Sequence, residues 1–280
     1  MKIKLCAFAD EAGSDLQEQI DALIRNEIEY IELRGINGKN VSQLSDEEAR
    51  QYYTTLTNAG IKVWSIGSPI GKVDCSIDIN EYLVQVERIC QIARIFNCNK
   101  IRMFSFFNAY SKREIVMENL KKMVQVASKY DVTLYHENEK DVYGDTVQRV
   151  LDVMNSVKGL KFVYDPANFV QVGQTKESFL PLVNKCDYYH IKDALSDGSV
   201  VPAGYGEGGL KELICSIQKD TVLTIEPHLK VFAGYADIDG TQLKNKFVYE
   251  TNSQAFDSAV SAIKQILIDC GFTSCDGFIK

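Results

Sequence analysis

The stretch Val132-Thr133-Leu134-Tyr135-His136-Glu137-Asn138-Glu139 begins as a β-branched and apolar strand and ends in a cluster of ligand-type side chains. Three later stretches end the same way: Phe162-Val163-Tyr164-Asp165, Tyr188-Tyr189-His190 and Leu223-Thr224-Ile225-Glu226. In each, an apolar strand stops at a carboxylate or an imidazole. Each ending follows the last by about one strand–helix unit, so the four belong to successive strands. Side chains alternate across a strand, which puts Tyr135 with Glu137, Val163 with Asp165, Tyr188 with His190 and Thr224 with Glu226 on shared faces.

Outward from these endings, strands and helices alternate along the whole chain. Strands are expected at Lys2–Ala9, Tyr30–Arg34, Ile61–Ile66, Lys100–Phe106, from Val132, and at Leu160–Asp165, Asp187–Ile191 and Val222–Glu226. Helices are expected between them. Ser14-Asp15-Leu16-Gln17-Glu18 and Ser45-Asp46-Glu47-Glu48 cap the first two, the second stopping at Gly60. The others fall at Ile79–Phe96, Lys112–Tyr130, Asp145–Val157, Glu177–Lys185, Leu210–Gln218 and Ser253–Asp269. Eight such units imply parallel strands joined by right-handed crossovers and closed into a (β/α)8 TIM barrel, a single domain over residues 1–280. A doubly wound open sheet is the competitor, and no glycine-rich dinucleotide fingerprint follows the first strand. At 280 residues the chain buries roughly three quarters of its unfolded surface and needs no structural metal to fold.

The balance of 31 Lys and Arg against 38 Asp and Glu gives a net charge of −7 with no basic run, which argues against nucleic acid, whose affinity rests on Lys and Arg neutralising phosphates. No apolar run approaches a membrane span or a signal-peptide core. The eight scattered cysteines form no C-x-x-C pair and read as reduced thiols of a cytoplasmic protein. Homo-oligomerisation is left open.

If the four faces point into the barrel, Glu137, Asp165, His190 and Glu226 converge at the C-terminal ends of the strands, where barrel active sites form. Three carboxylates and an imidazole suit Mn²⁺ or Mg²⁺ best, with Co²⁺ or Zn²⁺ as alternatives. A structural zinc site would more often offer cysteines and no open position. Lys192, two residues beyond His190, faces either the same cavity or the carboxylates Asp193 and Glu207. Arg34 and Arg102 stand near strand ends as substrate contacts or internal ion pairs. Glu207 lies in a glycine-rich turn, His136 should turn away from Glu137 by alternation, His228 divides evenly between site and scaffold, and Trp64 reads as barrel filling. The long connection 227–252 carries Phe232, Tyr235, Phe247 and Tyr249, which either cover the mouth or pin the loop.

His136-Glu137-Asn138, Asp165-Pro166-Ala167-Asn168, His190-Ile191-Lys192-Asp193, Gly206-Glu207-Gly208 and Ile225-Glu226-Pro227-His228 resemble the motifs of the xylose isomerase-like TIM barrels known as sugar phosphate isomerases/epimerases. The resemblance covers essentially the whole chain. It implies a divalent metal held by Glu137, Asp165, His190 and Glu226, and Glu137 with Glu226 as an acid/base pair acting on a small carbohydrate through a metal-stabilised enediolate. Lys192, Asn168, Arg102, Glu207 and His228 are the expected substrate contacts. The ketose-epimerase branch carries His where this chain has Asn168, and Arg after the seventh strand where it has Lys192. An inosose-type dehydratase on the same centre, or a sugar-binding subunit without turnover, are the alternatives.

Overall fold

The computed structural model describes residues 1–232, 247–275 and 277–280. Eight strands, β1 (Lys2–Ala7), β2 (Tyr30–Leu33), β3 (Lys62–Gly67), β4 (Lys100–Met103), β5 (Thr133–Glu137), β6 (Lys161–Tyr164), β7 (Tyr188–Ile191) and β8 (Thr221–Ile225), stand in chain order. Each pairs in parallel with the next, and β8 pairs with β1, Thr224 against Cys6 and Ile225 against Ala7. The barrel is therefore closed, and the open sheet is excluded. Helices α1 (Leu16–Arg25), α2 (Asp46–Asn58), α3 (Ile79–Ile95), α4 (Arg113–Ser128) and α5 (Val147–Ser156) cover its outside.

Local chemistry sets the helix starts. Asp15 with Glu18, and Ser45 with Glu48, form reciprocal capping boxes at α1 and α2, each satisfying backbone N–H groups that have no partner within the helix. The sixth connection differs from the single helix expected at Glu177–Lys185. It contains α6 (Pro166–Gln171), a one-turn α7 (Lys176–Phe179) and a 3-10 segment over Leu180–Lys185. Asp165 caps α6 by accepting the Asn168 N–H at 3.0 Å, with Pro166 in the first turn, where proline's missing N–H costs nothing. Pro181 cannot supply the N–H that would continue α7. Among the described residues the further α-helices are α8 (Leu210–Ser216) and α9 (Asn252–Asp269).

Further pairings lie beyond the eight strands, among them short hairpins at Gly35–Ile36 with Lys39–Asn40 and at Asp193–Ala194 with Val200–Val201. A hairpin of Thr273–Ser274 and Phe278–Ile279 adds antiparallel to β1, pairing Ile3 with Phe278. On the rim, the loops after β3, β4 and β5 are laced together by bridges from Asp74 to Phe107 and from Phe107 to Val142. Gly71 makes the close approach there, because a Cβ at this position would stand 2.1 Å from the Phe104 carbonyl oxygen.

Side-chain alternation gives the barrel a polar interior. Glu32, Ser65, Arg102, Glu137, Asp165, Tyr188, His190, Thr224 and Glu226 are all buried. Such groups persist only if they satisfy one another, and their pairings define the site.

Candidate functional site

Glu137 is the last residue of β5, Asp165 follows β6, His190 lies in β7 and Glu226 follows β8. One ligand atom from each falls within 4.8 Å of all the others, and all four residues are buried. His190 Nδ1 lies 2.9 Å from Glu137 Oε1 and 3.6 Å from Glu226 Oε2. Asn138 clamps the strand ends, donating to the Asp165 carbonyl at 2.8 Å and accepting the Asp165 N–H at 2.9 Å.

The two glutamates are backed alike. Arg102 Nε stands 3.3 Å from Glu137 Oε2, and Arg34 Nη1 stands 3.1 Å from Glu226 Oε1. Phe8, directly after β1, packs near both guanidinium groups, its ring centroid 4.3 Å from Arg34 Cζ and 5.3 Å from Arg102 Cζ, with the His190 ring roughly perpendicular at a centroid separation of 5.2 Å. Gly67 leaves room for that ring, since a Cβ there would meet Phe8 at 2.5 Å. Lys192 bridges the remaining carboxylates, its Nζ 3.0 Å from Asp165 Oδ2 and 3.1 Å from Glu226 Oε2.

These charges set the protonation states. Burial works against the Glu137 carboxylate, but His190 and Arg102 outweigh it and hold its pKa at about 2. Glu226 is likewise buried, yet Lys192, His228, His190 and Arg34 keep it well below the usual carboxylate range. Asp165 goes the other way: burial, only partly offset by Lys192, raises it to about 7. Burial disfavours the His190 imidazolium, but Glu137 and Glu32 raise its pKa to about 10. Without a metal ion, the histidine thus serves as a cation for its carboxylate neighbours. Neither proton would survive metal binding, because ligands bind deprotonated.

The residues fit a divalent cation. Asp165 Oδ2 is buried and accepts no hydrogen bond from a described residue, its cationic neighbour being Lys192. Hard oxygen donors with one imidazole suit Mg²⁺, Mn²⁺ or Zn²⁺ chemistry.

The other expected contacts separate. Asn168 donates to the Asn138 carbonyl at 2.8 Å and lies 3.4 Å from Glu137 Oε1, while its own Oδ1 has no hydrogen-bond partner among the described residues. His228 Nε2 stands 3.4 Å from Glu11 Oε1 and 3.5 Å from Glu226 Oε1, and its ring stacks on Phe232. Glu207 is not brought to the cluster: it is exposed and accepts the Ser196 N–H. Its flanking glycines serve Asp193, whose buried carboxylate accepts the N–H groups of Ala194, Gly204, Gly206 and Gly208. A Cβ at Gly206 would stand 2.2 Å from Asp193 Oδ1. His136 turns away from Glu137, as strand alternation requires, and packs against Phe162. Trp64 makes edge contacts with Tyr30 and Tyr188. Of the loop aromatics, Phe232 is buried beside Arg34, Phe247 packs on Tyr205, Tyr249 bonds to Ser258, and Tyr235 lies outside the described residues.

Sequence reasoning missed Glu32, Asp10, Glu11 and Phe8. Arg34 is held by Asp10 and Glu11 as well as Glu226. A carboxylate inside the apolar run Tyr30-Ile31-Glu32-Leu33 was the available signal. A barrel's outer face is covered by helices, so Glu32 had to find partners inside.

The model of the xylose isomerase-like TIM barrel family matches residues 20–230. The chain belongs to that family. Solved structures agree on the fold. A probable 3-DHS dehydratase involved in petrobactin synthesis in Bacillus anthracis superposes with a TM-score of 0.71 at 17% identity, covering 94% of this chain and 99% of its own. D-psicose 3-epimerase, solved in the presence of D-fructose, gives 0.72 at 13% identity, covering 97% and 100%. The IOLI protein with a bound zinc atom gives 0.68 at 17% identity, covering 96% and 98%. No curated protein matches the chain in sequence. The solved neighbours, among them an epimerase and a probable dehydratase, share the fold of this chain, and the buried tetrad could hold a metal. Among the described residues no helix is long and apolar enough to cross a membrane.

Proposed function

We propose that the chain is a divalent-metal-dependent isomerase or epimerase acting on a sugar, free or phosphorylated, or on a related polyol ketone. The observation that carries this reading is the matched pair of buried glutamates. Glu137 and Glu226 approach His190 Nδ1 from two strands, and each is backed by its own arginine. Both are ionised at neutral pH, the state a base needs.

A divalent ion held by Glu137, Asp165, His190 and Glu226, with Mn²⁺ or Mg²⁺ preferred, would supply Lewis-acid stabilisation of negative charge on substrate oxygens. One glutamate removes the proton from the carbon next to the carbonyl, and the other returns one. Return on the opposite face gives epimerisation; return to the neighbouring carbon gives isomerisation. Asn168 Oδ1 offers a buried acceptor for a substrate hydroxyl.

The structure also favours a second reading on one point. Lys192 Nζ is 3.1 Å from Glu226 Oε2, and an ammonium beside the base is the kind of group that protonates a departing hydroxyl in a dehydratase.

The test is a screen of ketoses, their phosphates and inososes in D₂O. Deuterium incorporated next to the carbonyl, abolished in Glu137→Gln and Glu226→Gln, supports the isomerase. A product lighter by one water supports the dehydratase. Full exchange in both variants would refute the roles given to the glutamates.

A further inference from the structure

We infer that Glu32, on β2, is the positioning residue of this centre, keeping the His190 proton on Nε2 and thereby presenting Nδ1 to the cation. This inference rests on the metal-binding reading proposed above. It assigns a role to a residue at the far side of the histidine ring from the other three ligands.

Nδ1 is the nitrogen that faces the tetrad, 2.9 Å from Glu137 Oε1. The opposite nitrogen, Nε2, stands 3.2 Å from Glu32 Oε2. Glu32 is 1% exposed, and its remaining valences are taken by hydroxyls. Tyr188 donates to Oε1 at 3.0 Å, and Thr224 donates to Oε2 at 2.9 Å. A carboxylate can only accept, so the direction of this network is fixed. Both hydroxyls point their protons at Glu32, and the imidazole must do the same. With Nε2 protonated, a neutral imidazole has its lone pair on Nδ1, the form in which it binds a metal. The anchors are rigid and local, since Tyr188 precedes His190 by one turn of side-chain alternation on β7, and Thr224 is set against His190 across the β7–β8 pairing. Tyr188 is itself fixed by Ser65, whose hydroxyl lies 3.4 Å from its own.

A purely structural carboxylate would affect stability alike with and without metal. A positioning carboxylate changes the affinity for the ion itself. Isothermal titration of the full chain with Mn²⁺, and separately with Zn²⁺, compares wild type with Glu32→Gln. Loss of such an outer partner weakens metal binding by about 10–100-fold, and that is the expected result with the fold retained by circular dichroism. Affinity within about threefold of wild type, in a folded variant, would overturn the inference. Long-range ¹H–¹⁵N NMR of the Zn²⁺-loaded wild type gives a reading that does not depend on the variant folding. A proton on His190 Nε2 with the metal on Nδ1 supports the assignment, and the reverse tautomer refutes it. If the wild type takes up neither ion, the metal-binding reading fails and this inference falls with it. Wild-type binding together with an indifferent Glu32→Gln variant refutes only the role of Glu32.

Discussion

His136 provides a titration that a single substitution can isolate. Its ring is fully buried, and neither ring nitrogen has a hydrogen-bond partner among the described residues. Gly144 packs so closely that a Cβ there would meet the ring at 2.3 Å. Burial, opposed by the neighbouring Glu137, lowers the pKa from 6.5 to about 4. The folded value lies below the unfolded one, so the unfolded chain takes up the proton first. The stability contributed by neutral His136 is therefore complete above pH ~6.5 and is lost as pH falls towards 4. At about 1.36 kcal/mol per pKa unit the full loss is roughly 3 kcal/mol, most of it between pH 7 and pH 4.5. Urea denaturation of wild type and His136→Leu at both pH values isolates this contribution, since all other titrations are common to the two proteins. Wild type should lose about 2–3 kcal/mol more than the variant. At pH 7 the variant should be at least as stable, because it removes two buried polar atoms without partners. Parallel pH profiles would refute the reasoning.

Further perturbations follow from the geometry. Asp193→Asn leaves one oxygen for N–H groups now shared between two, and should cost about 2–4 kcal/mol in chemical denaturation; unchanged stability would show that the glycine loop does not depend on that carboxylate. Gly71→Ala forces a Cβ against the Phe104 carbonyl at a residue with φ +86° and should destabilise by roughly 2 kcal/mol or more, read as a lowered Tm. Mn²⁺ at about 100 times its Kd should stabilise wild type by about 2.7 kcal/mol. The rise in Tm should largely vanish in Asp165→Asn, which can still cap α6; an equal rise in both would remove Asp165 from the ligand set.

The fold was legible because period and punctuation agreed. Capping residues such as Asp15 and Ser45 stood just before helical spacing, and apolar strands recurred between them. The tetrad was legible because four polar residues interrupted those strands at matching places, and alternation alone turned His136 away from Glu137. The sixth connection was misread because a short helix starting at Asp165-Pro166 carries too little periodicity to register. Its signal is the cap itself, a residue already assigned to the metal. Glu207 stands apart from the cluster because adjacency in a motif does not fix side-chain direction; the loop closes on Asp193 and Glu207 is exposed. Partners such as Asp10, Glu11 and Phe8 lie in the turn that follows β1, far along the chain from Arg34 and Arg102. The β1–β2 pairing sets Asp10 and Glu11 beside Arg34, and the curvature of the barrel brings Phe8 to Arg102.

The ring of Phe8 touches both guanidinium groups and the edge of His190, which bears on how mutational data from this site can be combined. Residues that share a partner do not contribute independently. Arg34 and Arg102 support different glutamates, yet removing either lets the same aromatic ring relax toward the gap and shift the support of the other. A double-mutant cycle between them should leave a coupling energy of about 0.5 kcal/mol or more, and that residue of non-additivity should disappear when the cycle is repeated in a Phe8→Ala background. Kinetic losses measured one arginine at a time therefore describe the pair, and partitioning them into a Glu137 side and a Glu226 side would count the aromatic wedge twice.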